Sequence, residues 1–234
     1  MPKVVVIFGA GDGNGAAISR KFAKEGYKVV AIRRNVEKLD SLVSEIRGMN
    51  CEIYPYGVDC RKEEEVKDIV EKIEKEIGFI DVAVHNIGAN VQFSLQNTTT
   101  RVFSKVWEMA CLSGFLVLRE VSNKMIERKK GTILISGATA SVRGSAGFHA
   151  FASAKHGLRA ISQSAAKELG PKGIHVCHII LGIHHKVERK CPQASTSLSV
   201  ILAFKVRKSR ILLYTIYFSF SFSLSISVSL SIFR

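Results

Sequence analysis

The chain has 234 residues, of which 47% are hydrophobic, so it is long enough to bury one core and carry an appendage. Its net charge of +14 would suit a nucleic-acid partner, but half of that charge falls in residues 183–234. Residues 1–182 contain no dense basic cluster with interleaved aromatic residues, which argues against nucleic-acid binding. A moderate positive field suits an anionic cofactor equally well.

A predicted strand near the start of the chain is followed at once by a glycine-rich turn. The strand is Val4-Val5-Val6-Ile7, and the turn runs Gly9-Ala10-Gly11-Asp12-Gly13-Asn14-Gly15 into a helical pattern. Glycines let the backbone turn tightly and approach a ligand, while the free N–H groups and the dipole of the helix hold an anion. This strand, turn and helix together predict a binding site for the pyrophosphate of a dinucleotide.

Strand-like and helix-like periods then alternate along the chain as far as Leu181. The predicted strands are Val4–Phe8, Lys28–Ile32, Cys51–Tyr54, Val82–His85, Thr132–Ser136 and His175–Ile180. The predicted helices are Gly15–Glu25, Val36–Arg47, Glu63–Ile77, Thr100–Arg128 and Ala150–Leu169. A glycine follows each helix, where a left-handed cap residue is expected: Gly26, Gly48, Gly78, Gly131 and Gly170. Short apolar strands separated by helices predict an α/β fold, a doubly wound parallel sheet with helices on both faces.

The alternation stops after residue 182, and residues 183–234 form a divergent tail. The tail is first basic and then uncharged from Ile211 to Phe233, with serine at every second position from 219 to 231. Three interpretations remain open: a membrane anchor, an ordered surface strand, or a product of a truncated or mis-spliced gene that reads through a dinucleotide repeat. High β-propensity without charge or proline also predicts a tendency to aggregate.

The five cysteines form no C-x-x-C pair: Cys51, Cys60, Cys111, Cys177 and Cys191. We interpret them as reduced thiols of a cytoplasmic protein, without a metal or a disulfide. The first strand begins near residue 3, which leaves no room for a signal or transit peptide.

Three motifs in this order resemble the short-chain dehydrogenase/reductase family. They are the glycine turn Gly9-x-x-x-Gly13-x-Gly15, the segment His85-Asn86-Ile87-Gly88 after the fourth strand, and Phe151-Ala-Ser-Ala-Lys155. The resemblance covers residues 3–180 and implies a Rossmann-type sheet, a nicotinamide cofactor, hydride transfer between a carbonyl and an alcohol, and assembly as a dimer or tetramer. The family's seventh strand and its mobile substrate-covering helix have no recognisable counterpart, so the sixth strand is expected to be an exposed apolar edge.

The cofactor can be argued from the end of the second strand. An acidic residue there would hydrogen-bond the ribose hydroxyls of NAD, whereas arginine pairs with a 2′-phosphate. Arg33 and Arg34 stand at this position, so the sequence favours NADP(H) over NAD(H). By the same resemblance, Asp59 is expected to contact the adenine, and Asn86, Gly88 and Lys155 to contact the rest of the cofactor.

The catalytic centre departs from the family's pattern. Phe151 stands at the position of the tyrosine that donates the proton, and Ala138 at that of the serine. The asparagine position falls near Ala110 or Cys111, so only Lys155 survives. Loss of a positioned general acid costs about 10²–10⁴ in rate. Two weak substitutes are Ser136, on the face of Ala138 but deeper, and His149, two residues before Phe151.

Two functions follow from these observations. The first is an NADP(H)-dependent oxidoreductase acting on a small carbonyl or alcohol compound, with an impaired or unorthodox catalytic centre. The alternative is a catalytically inactive nucleotide-binding or scaffold protein. We expect no membrane partner, because the tail is the only candidate segment for one.

Overall fold

The structure is a computed structural model that describes residues 2–184, 197–206, 210–219 and 231–232. Its described strands form one sheet in the order β3-β2-β1-β4-β5-β6-β7-β8-β9. The strands are β1 Val4–Phe8, β2 Lys28–Arg33, β3 Ile53–Gly57, β4 Ile80–His85, β5 Gly131–Ala138, β6 Ile174–His184, β7 Ser197–Val206, β8 Arg210–Ser219 and β9 Ser231–Ile232. Neighbouring strands from β3 to β6 pair in parallel, which confirms the predicted Rossmann-type sheet.

Helices cover both faces of the parallel strands. They are α1 Asn14–Lys24, α2 Asp40–Gly48, α3 Glu63–Glu76, α4 Thr100–Trp107, α5 Ser113–Arg128 and α6 His149–Leu169. On one face, Val5 and Ile7 of β1 pack with buried residues of α1 and α2. On the other, Val6 and Phe8 belong to a second cluster with residues of α3 to α6. Successive side chains of β1 are thus buried on opposite faces, as the continuous apolar run of a parallel strand requires.

The helix predicted over Thr100–Arg128 contains one wider turn. Residues Glu108–Leu112 adopt π-helical geometry between α4 and α5, and they bury Ala110 and Cys111. A π turn inserts one extra residue into a helix and often lies at a functional site. Hydrophobic periodicity spans such a turn almost unchanged, so the sequence did not reveal it.

The predicted glycine caps are only partly correct. Gly26 and Gly78 have positive φ values of 79° and 141°, as expected. The left-handed residue after α5 is Lys129, with φ of 52°, because Gly131 already begins β5. Gly170 continues α6 into a short 3₁₀ turn, and Gly48 is the last residue of α2.

The expectation of a bare edge at β6 is wrong. Strand β7 pairs with β6 in antiparallel orientation, from Ile179 opposite Leu202 to His184 opposite Ser197, and β8 pairs with β7. An unpaired apolar strand is a ready template for a further strand, and the segment of residues 197–206 is rich in residues of high β-propensity. Strand β6 itself continues to His184, past the predicted boundary at residue 182. Most of the serine-alternating run, residues 220–230, lies outside the described residues.

None of the described helices is long and apolar enough to serve as a membrane span.

Candidate functional site

The glycine turn after β1 is folded tightly against two neighbouring strands. The N–H groups of Gly9 and Ala10 both donate to the carbonyl oxygen of Ile32 on β2, at 2.9 and 3.0 Å. Asn86, after β4, donates its backbone N–H to Phe8 at 2.7 Å and its side-chain amide to the oxygen of Gly9 at 3.0 Å. Gly9 has φ of +94°, and a Cβ atom there would lie 2.7 Å from the oxygen of Asn86. Only glycine satisfies both conditions.

The first turn of α1 approaches this loop closely. A Cβ atom at Gly15 would lie 2.5 Å from the oxygen of Gly9, so the helix can approach only because residue 15 has no side chain. Gly11, Gly13 and Gly88 behave differently, since a Cβ atom on any of them would meet nothing within 4 Å. Open space therefore lies beside Gly11, Gly13 and Gly88, while Ala16 and Ala17 in the first turn of α1 donate their N–H groups to the oxygens of Gly11 and Gly13 at 2.8 and 3.1 Å.

An open cleft of about 220 Å³ lies at the carboxyl ends of β1, β2 and β4. It brings together most of the residues that the sequence predicted for the cofactor: Gly9, Gly11, Arg33, Arg34, Asp59, Asn86 and Gly88. Ligands of open α/β sheets bind at the carboxyl ends of the strands, where the strand order reverses. Here that reversal lies between β1 and β4, directly behind the glycine turn.

Three arginines line the end of the cleft beside β2: Arg33, Arg34 and Arg61. Arg33 contacts Asp12 of the glycine turn, with 2.9 Å between Nη1 and Oδ1. Arg34 also lines the cleft. The carboxylate of Asp59 accepts hydrogen bonds from Nε and Nη2 of Arg61, at 2.9 and 2.5 Å. This pairing lowers the pKa of Asp59. Sequence reasoning missed Arg61, because nothing in the pattern shows that it turns back onto Asp59.

Lys155 is a buried side chain near the end of β4. It is 4% exposed, and its Nζ donates to the carbonyl oxygens of Ile87 at 3.0 Å and Ser136 at 2.9 Å. Burial lowers its pKa to about 8. The Phe151 ring, one helical turn earlier on α6, lies with its centroid 6.0 Å from Nζ. Lys155 is not among the residues that line the cleft, but it contacts the backbone oxygen of Ile87, which does line it.

Ser136 and His149, the two substitutes that the sequence offered for the missing acid, lie in different parts of the structure. Ser136 is buried, and it holds Lys155 through its backbone oxygen. His149 is the first residue of α6, and its Nε2 lies 2.7 Å from the hydroxyl of Thr98. The structure thus connects Ser136 with Lys155, and it connects His149 with the segment before α4.

A buried histidine accompanies the lysine on the same face of the sheet. His85, at the end of β4, is fully buried, and its Nε2 lies 2.9 Å from the hydroxyl of Ser113, which donates to the oxygen of Met109 at 2.5 Å. Ser113 therefore accepts from an Nε2–H group, and the buried Nδ1 of His85 has no partner among the described residues. Burial, with a smaller contribution from Lys155, lowers the pKa of His85 to about 3, so the ring is neutral.

Comparison with known proteins identifies the family of this chain. The family model described as short chain dehydrogenase matches residues 3–190. The chain belongs to this family. Over 202 residues, this short-chain dehydrogenase is 31% identical to the 3-oxoacyl-acyl-carrier-protein reductase FabG of Thermotoga maritima, covering 85% of this chain and 82% of that protein.

Several solved structures share its fold. One from Rhodopseudomonas palustris superimposes with a TM-score of 0.74 and 49% identity, over 76% of this chain and 84% of that one. ElxO with NADP bound gives a TM-score of 0.73 at 28% identity, covering 78% and 74% of the two chains. A NAD⁺-bound xylitol dehydrogenase gives 0.75 at 29% identity, covering 77% and 70%. Similar folds therefore carry either nicotinamide cofactor.

Proposed function

We propose that this short-chain dehydrogenase binds NADP(H) in the cleft and acts on a small carbonyl or alcohol compound through an impaired or unorthodox catalytic centre. The observation that carries the cofactor assignment is the pair Arg33 and Arg34 at the end of β2, both lining the cleft. A guanidinium pairs with a phosphate through charge-assisted hydrogen bonds, whereas the NAD-selecting position calls for an acid.

The glycine turn fits a dinucleotide. Gly9 and Gly15 are required by the protein's own backbone, whereas Gly11, Gly13 and Gly88 face open space and leave room for a ligand to reach the backbone. In the proposal the first turn of α1, from Asn14, holds the pyrophosphate, and Asp59 and Asn86 border the adenine and nicotinamide halves. Bound there, the nicotinamide supplies or accepts the hydride.

Near the expected position of the nicotinamide, the chain has the ammonium group of Lys155, but Phe151 provides no phenol. Lys155 holds the ribose in this proposal, because its ammonium group is fixed by the carbonyl oxygens of Ser136 and of Ile87, and Ile87 lines the cleft. Phe151 has no proton to give. The proton for a carbonyl reduction then comes from water, from His149 or from the hydroxyl of Ser136, and slow turnover is expected.

The wider setting extends the same proposal. In this proposal the dinucleotide-binding domain, predicted as residues 1–182, extends to the end of β6 at His184, and the residues after it form an appended tail. In this proposal the protein works in the cytoplasm as a homodimer or homotetramer.

Cofactor binding is tested by titrating the purified full-length chain with NADPH and with NADH. Replacing Arg34 by glutamine removes one charge-assisted hydrogen bond, which is worth about 1.5–3 kcal/mol, or roughly 10–100-fold in Kd. We expect that loss for NADPH and little change for NADH. Arg47→Gln, on the exposed end of α2, is the matched control. If Arg34→Gln binds NADPH and NADH with the same Kd values as the wild type, the assignment of NADP(H) is refuted.

Turnover is tested with a panel of aldehydes, ketones and quinones, followed by NADPH absorbance. Slow oxidation of NADPH that disappears in Lys155→Met supports the oxidoreductase. Tight NADPH binding without turnover on any member of the panel would favour the alternative, a nucleotide-binding or scaffold protein.

A further inference from the structure

Two loops at the carboxyl edge of the sheet meet beside the start of α6. The first, residues 88–98, lies between β4 and α4 and begins at Gly88 of the cofactor cleft. The second, residues 139–148, connects β5 to α6. The N–H group of Phe93 in the first loop donates to the oxygen of Gly147 in the second, at 2.9 Å. We call the loop of residues 88–98 the rim loop.

Two further contacts fasten the rim loop. Gly147 has φ of +79°, and a Cβ atom there would lie 2.9 Å from Cγ of Gln92, so the two loops approach closely only because residue 147 is glycine. His149, the first residue of α6, has its Nε2 atom 2.7 Å from the hydroxyl of Thr98. That hydroxyl donates to the oxygen of Ser94 at 2.9 Å, so it accepts from an Nε2–H group of His149. The imidazole N–H is therefore engaged in holding the rim loop.

The rim loop presents apolar side chains to solvent close to the expected reaction centre. Phe93 is 43% exposed and Leu95 71% exposed, whereas Val91 packs against the buried cluster that contains Phe151. The rim loop contains no Asp, Glu, Lys or Arg, and the second loop contains only Arg143. Large apolar side chains that a fastened loop keeps in water mark a binding surface for an apolar ligand.

The rim loop continues directly from the wall of the cleft. Ile87 and Gly88 line the cleft, and the oxygen of Ile87 accepts a hydrogen bond from Lys155 at 3.0 Å. A substrate whose carbonyl group lies near Lys155 can therefore extend its chain out of the cleft along the rim loop. Because the contacts with the second loop and α6 already order the rim loop, such a chain does not have to supply that ordering free energy.

We propose that the substrate is a ketone or aldehyde with an apolar, uncharged chain, and that Phe93 and Leu95 of the rim loop bind this chain. His149 is then a positioning residue, which holds the loop that carries both side chains. The inference rests on the proposed function, since it takes the cleft to place the nicotinamide near Lys155. It adds the class of substrate, and it leaves water or Ser136 as the source of the proton.

The test measures Kd by ligand-observed NMR for acetone, methyl butyl ketone and methyl hexyl ketone, on the full-length chain with and without saturating NADPH. Each CH₂ group that leaves water should lower Kd by about two- to fourfold in the wild type. The double variant Phe93→Ala, Leu95→Ala should raise the Kd of methyl hexyl ketone by roughly tenfold and that of acetone by less than about twofold. Phe79→Ala is the matched control, because Phe79 is 60% exposed but precedes β4, at the opposite edge of the sheet.

His149 is tested by His149→Leu, with His149→Gln as the conservative variant. Loss of one neutral hydrogen bond should raise the Kd of methyl hexyl ketone by about two- to tenfold and leave acetone unaffected. Glutamine can again donate an N–H group to Thr98, so His149→Gln should restore part of the affinity. Unchanged Kd values in His149→Leu, with kcat lowered by the same factor for every ketone, would make His149 the acid and overturn its positioning role.

Circular dichroism and Tm confirm that each variant is folded. If the wild type binds NADPH but its Kd for ketones does not depend on chain length, or Phe79→Ala loses as much affinity as the double variant, the inference is refuted and the proposed function stands. A folded wild type that does not bind NADPH refutes the proposed function. In that case the ketone series without NADPH still decides whether Phe93 and Leu95 bind an apolar chain.

Discussion

Replacing Phe151 by tyrosine should convert a slow or silent site into an active one. The substitution adds one hydroxyl to a ring that already lies near Lys155, with 6.0 Å between the ring centroid and Nζ. At about 6 Å and an effective dielectric constant of about 20, a phenolate and an ammonium attract each other by about 3 kcal/mol, or about 2 pKa units. A phenol that normally ionises near pH 10 would then ionise near pH 8, and burial would raise this value again because it disfavours the phenolate.

A phenol with that pKa is protonated at neutral pH and can act as the general acid of carbonyl reduction. A positioned acid contributes about 10²–10⁴ in rate, so kcat for NADPH-dependent reduction should rise within that range. The assay follows NADPH absorbance over the carbonyl panel as a function of pH, and the gain should decline above about pH 8 as the phenol ionises. Phe148→Tyr adds the same hydroxyl to the phenylalanine just before α6 and is the matched control.

The outcome that refutes this reasoning is specific. If Phe151→Tyr is folded and binds NADPH as the wild type does, yet kcat does not rise, the missing phenol is not what limits the reaction. A gain that persists unchanged when Lys155→Met is combined with Phe151→Tyr would separate the new acid from the ammonium group and contradict the electrostatic argument.

Three further predictions concern stability and cofactor access. Gly15→Ala should lower Tm, because its Cβ would press on backbone atoms of the glycine turn, whereas Gly13→Ala should leave Tm unchanged and weaken NADPH binding; equal Tm values would contradict the reasoning. His85 and His178 are buried, and desolvation is the main cause that lowers their pKa values to about 3 and about 4. As the pH falls, the unfolded chain therefore binds protons at these two histidines before the folded chain does. The free energy of unfolding should therefore fall below about pH 6.5, by about 1.4 kcal/mol per pH unit for each histidine, until each folded-state pKa is reached. Urea titrations at pH 7 and pH 5 measure this loss, and an unchanged slope in His178→Gln would count against it. Truncation after residue 184 should leave β6 without its partner and increase aggregation in light scattering; a monodisperse truncated chain would show that the edge needs no cover.

The parts of the fold that depend on local pattern were predictable from the sequence. Strand β1 runs over Val4–Phe8 as predicted, and Gly9, Arg33 and Asn86 meet in one cleft, because strand ends and glycine positions are set by residues close in the chain. Features that depend on tertiary packing were not. Lys129 caps α5 in place of a glycine, since β5 begins too early for Gly131 to do so.

Contacts between distant segments were also beyond the sequence. The neutral His85 is hydrogen-bonded to Ser113 across 28 positions of the chain. The pairing of β7 with β6 depended on an open strand edge that no residue pattern within the tail itself records. Whether Phe151 replaces a catalytic tyrosine stays a prediction of the family resemblance, which the Phe151→Tyr experiment addresses.

Asn86 gives the cleft a property that matters for affinity. With two hydrogen bonds it fastens the end of β4 to Phe8 and Gly9, so the two loops that border the cleft form one rigid unit. The conformational entropy of ordering them is therefore lost when the chain folds, and a ligand does not have to supply it. Ligand fragments that each fill one half of the cleft should bind nearly independently of each other, because neither has a loop to order for the other.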